Sequence, residues 1–162
     1  MAGIFKSYDV RGTVPDQLST GDAYRIGKAA VKAMRAKRLA VSRDARIHGP
    51  DIQHALMAGI AAAGADAVDI GMGPTPLSYF AAGSMPVDGA IQVTASHNPP
   101  QYNGFKFTAR GALPMSYDTG INRVEELYAR DMPRLAGKTG RIEKKNMLPA
   151  YLRHLRRFAR IA

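Results

Sequence analysis

Gly89-Ala90-Ile91-Gln92-Val93-Thr94-Ala95-Ser96-His97-Asn98-Pro99-Pro100-Gln101-Tyr102-Asn103-Gly104-Phe105-Lys106-Phe107 holds the reversal of direction on which the fold turns. The apolar run from 89 to 94 reads as a short buried strand, and the alternation of Phe105, Lys106 and Phe107 reads as a second strand over 104 to 108. The loop between them is too short for the crossover that a parallel pair needs, so the two strands are expected to pair antiparallel.

Outward from this hairpin the elements alternate. Ser19 or Thr20 can cap a helix carrying Tyr24, Ile26, Gly27, Ala30, Val31 and Met34. Arg38 to Ser42 reads as a strand, and Pro50 or Asp51 opens a helix with Ile52, Leu56, Met57, Ile60 and Ala63 inward. Asp66 to Ile70 is a strand, Pro76 to Ala82 a helix, and another helix is expected near 119 to 130. Strands alternating with helices build a parallel sheet with binding loops at its carboxyl edge. With the hairpin added, the pattern predicts an α/β three-layer sandwich: a mixed, mostly parallel sheet covered by helices on both faces.

The loop from Thr94 to Lys106 gathers a hydroxyl, an imidazole, two amides and an ammonium. Pro99 and Pro100 fix their own φ and restrict their predecessors, so the loop has little conformational freedom to lose on binding. Gly104 is expected to let backbone approach a ligand closely. Phosphoryl transfer asks mainly for positioning and fixed donors, which this set offers, with Ser96 able to carry the phosphate. Read as Ser-His-Asn-Pro alone, the segment is better taken as an Asn-Pro turn in which Ser96 merely bonds nearby backbone. A hydrolase triad is disfavoured, since there is no Gly-x-Ser-x-Gly elbow and Ser96 and His97 are adjacent.

The chain has 162 residues, enough for one domain with a real core, and carries a net charge of +10. From 132 to 162, nine Lys and Arg, among them Arg134 and Arg160, face only Glu143, so +8 of that charge lies in the tail. Leu148, Tyr151, Leu152, Leu155, Phe158 and Ala159 recur there at helical spacing, with Arg153, Arg156 and Arg157 on other faces. A basic amphipathic helix suits a nucleic acid or a membrane surface, but no stacking aromatics interleave with the cations, and a domain-joining helix ranks higher. Absence of Cys suits a reducing cytoplasm. The four histidines lack metal-binding spacing, and no apolar stretch approaches the roughly 18 residues of a membrane span.

Over its full length the segment Thr94 to Lys106 resembles the phosphoserine loop of the α-D-phosphohexomutases, the family of phosphoglucomutase and phosphomannomutase. Tyr8-Asp9-Val10-Arg11-Gly12 is similar to the family's Y-D-[IV]-R-G segment, Arg43-Asp44-Ala45-Arg46 to its R-D-x-R segment, and Gly73-Pro74-Thr75-Pro76 to its T-P helix start. Thr94 and Tyr102 look like the phosphomannomutase and phosphoglucomutase type rather than the phosphoglucosamine mutases. Ser42 stands where the family often has Gly, and His48-Gly49 where it often has two serines.

The resemblance implies that Ser96 is the phosphorylated nucleophile, its phosphate serving as one ligand of a magnesium ion. It implies His97 and Lys106 beside the transferred group, Tyr8, Arg11 and Asn98 on the substrate side, and Arg43, Asp44, Asn103 and Gly104 in support. The implied reaction interconverts hexose 1- and 6-phosphates through a hexose 1,6-bisphosphate, in the cytoplasm. Segments of the D-G-D-x-D-R, G-E-x-S-G and R-x-S-G-T-E-P kind, which serve metal, sugar and distal phosphate in the family, are absent here. The chain is therefore expected to be the amino-terminal domain, 1–135, followed by a basic linker and helix, 136–162, leading toward the remaining mutase domains. A non-catalytic subunit or regulatory binding module that retains the fold is the alternative, and a basic nucleic-acid-binding module ranks below it.

Overall fold

The computed structural model describes residues 3–130 and 137–159. Arg134, Arg160 and the expected boundary at 135/136 lie outside the described residues. The strands are β1 (Val10–Thr13), β2 (Arg38–Arg43), β3 (Asp66–Met72), β4 (Gly89–Val93), β5 (Tyr102–Ala109), β6 (Leu113–Pro114) and β7 (Ile142–Lys144). The α-helices are α1 (Thr20–Met34), α2 (Gly49–Ala62), α3 (Thr75–Ser84), α4 (Asn122–Ala129) and α5 (Leu148–Arg156). A π-helical turn, Tyr117–Ile121, leads into α4, so the helix expected near 119 to 130 is two pieces joined at Gly120, whose φ is 151°.

The strands form one sheet in the order β1-β5-β4-β2-β3-β7, with β6 against β5. β4, β2, β3 and β7 are parallel, while β5 runs antiparallel to both β4 and β1. The hairpin therefore does what its short loop requires. The strands at the two ends of the sheet, like the two-residue β6, were unmarked in the sequence. β1 is four residues containing an Arg and a Gly, and β7 is three residues in the basic tail, where it pairs with β3.

Side-chain alternation divides the core into two layers. Leu39, Val41, Ile91, Val93, Phe105 and Phe107 face α1, α2 and α4, whereas Ala40, Val68, Ile70 and Ala90 face α3 and α5. Ser19 caps α1 in a capping box with Asp22, and Gly27 and Gly59 let α1 and α2 approach closely. α3 and α5 leave the β1–β5 end of their face uncovered, and Arg11 and Lys106 project there. Tyr151 docks α5 on Phe80 of α3, with ring centroids 5.6 Å apart, but Leu148, Leu152, Leu155 and Phe158 are exposed. No helix among the described residues is long and apolar enough to cross a membrane.

Candidate active site

The loop leaving β4 emerges at the carboxyl edge of the parallel strands, and the carboxyl end of β2 builds its base. Asp44 donates its N–H to the Val93 carbonyl at 3.0 Å, and its carboxylate accepts from the Thr94 hydroxyl at 2.6 Å. The Thr94 oxygen accepts the Ser96 N–H at 2.9 Å. Ser96 is exposed and holds a left-handed backbone, φ 56°. Such a conformation costs an L-residue roughly 1–2 kcal/mol. The compensation comes from Arg46, whose guanidinium donates to the carbonyls of Ser96 (2.9 Å), Asn98 (2.7 Å), Pro99 (2.8 Å) and Tyr102 (2.9 Å). Its Nε also meets Asp44 at 3.2 Å. At roughly 1.5–3 kcal/mol for a hydrogen bond to a charged group, these contacts outweigh the strain at Ser96.

A second group of charges lies on the uncovered face. Asp9, its side chain only 7% exposed, accepts from Arg11 and, at 3.1 Å, from the Lys106 ammonium. Arg11 also donates to the Asn98 side-chain oxygen at 2.8 Å, tying the cations to the Ser96 loop. Tyr8, Asp9, Arg11, Asn98, Tyr102 and Lys106 line a cavity of about 760 Å³, with Lys6 adding a further cation. Three cations thus face one carboxylate, a wall that attracts a phosphate dianion.

The structure brings Arg11, Lys106, Asn98 and Tyr8 to one cavity; Ser96 lies two residues along the loop from Asn98 and is not among the lining residues. His97 is exposed beside Ser96, and Tyr8 is 72% exposed. Asp44 supports the loop, but Arg43 donates to the Asp44 carbonyl at 3.1 Å and lines a separate cavity of about 330 Å³ with His54, Asp69 and Lys144. Asn103 is buried, its side-chain oxygen accepting the Gly104 N–H at 2.9 Å. The reason for Gly104 differs from the one expected. A Cβ there would fall 1.9 Å from the Val10 carbonyl oxygen, so the close approach it permits is that of β1, not of a ligand. Ser42, where the family often has Gly, bonds the Gln92 side chain, whose amide reaches the Gly73 carbonyl at 3.0 Å.

Asp9 and Arg46 join this arrangement though spacing did not reveal them. Both lie inside the matched segments, yet Lys106 is 97 residues from Asp9, and the loop carbonyls held by Arg46 are 50 to 56 residues from it. Among the described residues, no three His, Asp or Glu side chains converge as a cation cage. Asp44 and Asp9 are committed to Arg46, Thr94, Arg11 and Lys106, so the donor set here fits a divalent cation only through an oxygen carried on Ser96.

Comparison with known proteins agrees with this geometry. The family profile of phosphoglucomutase/phosphomannomutase, α/β/α domain I, matches residues 2–134. A phosphomannomutase of Escherichia coli is 41% identical over 157 residues, covering 96% of this chain and 35% of that protein. A Xanthomonas campestris protein named for phosphohexose mutases is 38% identical over 151 residues, 93% of this chain and 34% of its own length. The crystal structure of a phosphoglucomutase/phosphomannomutase family protein from Burkholderia thailandensis superposes with a TM-score of 0.82 at 38% identity, covering 94% of this chain and 35% of that one. The chain thus spans about a third of the length of the curated relatives it matches. Fold, hairpin loop and matched segments together place the chain in the phosphoglucomutase/phosphomannomutase family, as its α/β/α domain I.

Proposed function

We propose that this domain carries the phosphoserine of a phosphohexomutase. Ser96 bears a phosphoryl group and passes it to a hydroxyl of a hexose phosphate: the P–Oγ bond breaks, a bond to the sugar oxygen forms, the sugar hydroxyl gives up its proton and the Ser96 oxygen gains one. The hexose 1,6-bisphosphate so made turns over and returns its other phosphate to Ser96. The observation that carries this reading is Ser96 itself, exposed and locked in a left-handed turn on the loop that meets Arg11 through Asn98.

Arg11 and Lys106, fixed by Asp9, supply positive charge at the substrate side, and Tyr8 offers an aromatic wall. His97 is the exposed neighbour of the nucleophile and takes part in the transfer. Magnesium, for which this chain offers the Ser96 phosphate as one ligand, supplies neutralisation of developing charge when bound. The names of the relatives favour mannose and glucose phosphates as substrates.

The test is a coupled assay of the full-length polypeptide with mannose 1-phosphate or glucose 1-phosphate, magnesium and a trace of bisphosphate. Ser96→Ala is expected to abolish interconversion while the fold is kept. Undiminished turnover in that variant overturns the proposal.

A further inference from the structure

We infer that Arg46 is a positioning residue for phosphoryl transfer: it sets the backbone geometry of Ser96 and takes no part in binding the phosphate. The inference rests on the phosphoserine reading above. A guanidinium in a phosphate-handling site would ordinarily be assigned to the anion. Here its donors are filled by protein. Nη1 serves the carbonyls of Pro99 and Tyr102, Nη2 those of Ser96 and Asn98, and Nε the Asp44 carboxylate. Asp44 also neutralises its charge, and Arg46 is not among the residues lining the cavity that holds Arg11 and Lys106. A planar fork is suited to this task, because its donors point outward in one plane toward carbonyls spread along a loop. Lysine, a compact point charge with three donors, cannot serve all of them at once.

The same Asp44 carboxylate that holds Arg46 receives the Thr94 hydroxyl, and Thr94 in turn receives the Ser96 N–H. The carbonyl of Ser96 is thus fixed by Arg46 and its N–H by Thr94, so both ends of the left-handed residue are tied to one carboxylate. Loosening either tie lets Ser96 relax toward ordinary backbone and swings its oxygen away from the line of attack.

Three measurements on the full-length polypeptide test this. In Arg46→Lys, the rate of hexose interconversion is expected to fall about 100-fold in kcat, the scale of a small misplacement, with KM for the sugar phosphate nearly unchanged. In Arg46→Ala, millimolar guanidinium is expected to restore part of the lost rate, while equal ionic strength of sodium chloride does not. Hydrogen exchange of the peptide spanning 95–102 is expected to quicken in Arg46→Lys while the sheet keeps its protection. A raised KM with kcat intact would make Arg46 a substrate contact and overturn the inference. Unchanged kcat, unchanged loop exchange, or loss of protection across the whole sheet would also overturn it. If the wild-type polypeptide shows no interconversion, the phosphoserine reading fails, and the hydrogen-exchange result alone then decides whether Arg46 holds the loop.

Discussion

A methyl group added at Gly104 would sit 1.9 Å from the Val10 carbonyl oxygen, and backbone cannot yield as a flexible side chain can. Gly104→Ala is therefore expected to push β1 from β5 and to lower stability by about 1–3 kcal/mol, measured by urea unfolding. Because β1 carries Arg11 and follows Asp9, the same change should disturb the cation pair at Lys106. Lys106→Ala acts on the chemistry instead: removing a fixed positive charge is expected to slow transfer at least 100-fold without loss of fold, and an unaltered kcat would reject its role. The segments around Ser96, Lys106 and Arg11 pointed to one site because they resemble a known family's, and the structure brings Arg11 and Lys106 to one cavity that meets the Ser96 loop through Asn98. The contacts from Asp9 to Lys106 and from Arg46 to the loop carbonyls could not be read in the same way, since folding alone brings those partners close.

At the scale of elements, the amino end of α1 joins α4 through Asp22. Burial pushes the Asp22 carboxyl up, but hydrogen bonds from Ser19 and the Tyr128 hydroxyl, aided by the charge of Arg25, bring it below the ordinary carboxylate range. Burial and the same carboxylate push Tyr128 up to about 12. A lowered carboxylate pKa contributes stability that is present above the unfolded value of about 3.9 and lost as pH falls through the folded one. The tyrosine's contribution is present below its unfolded pKa of about 10 and lost as pH rises through about 12. Asp22→Asn is accordingly expected to flatten the acid limb of a stability-against-pH curve below about pH 4, and an identical limb would contradict the assignment. Ser19→Ala should cost about 1 kcal/mol through the lost cap. α1, α2, α3 and the β4–β5 hairpin could be read from periodicity, caps and prolines because local chemistry determines them. β1 and β7 could not, because so few residues carry no usable alternation and their existence depends on a neighbouring strand edge. The helix expected near 119 to 130 is present as α4, and its start was misjudged for a local reason, the positive φ of Gly120 inside the preceding π-helical turn.

For the molecule as a whole, two surface features govern what the chain is expected to do by itself. Leu148, Leu152 and Leu155 stay exposed on a basic α5 and Phe158 just past its end, so the 162-residue chain is expected to self-associate, and Leu152→Ser with Phe158→Ser should shift it toward monomer in sedimentation. The cavity at Arg11 and Lys106 carries net positive charge, yet the chain covers about a third of its relatives' length, and alone it is expected not to interconvert hexose phosphates at a useful rate. The central claim is that Ser96 is the phosphate carrier, and peptide mass spectrometry of the full-length polypeptide after exposure to hexose 1,6-bisphosphate tests it most directly. The account predicts one phosphoryl group, on Ser96. Phosphate on Thr94 or Thr108 with Ser96 bare would contradict it.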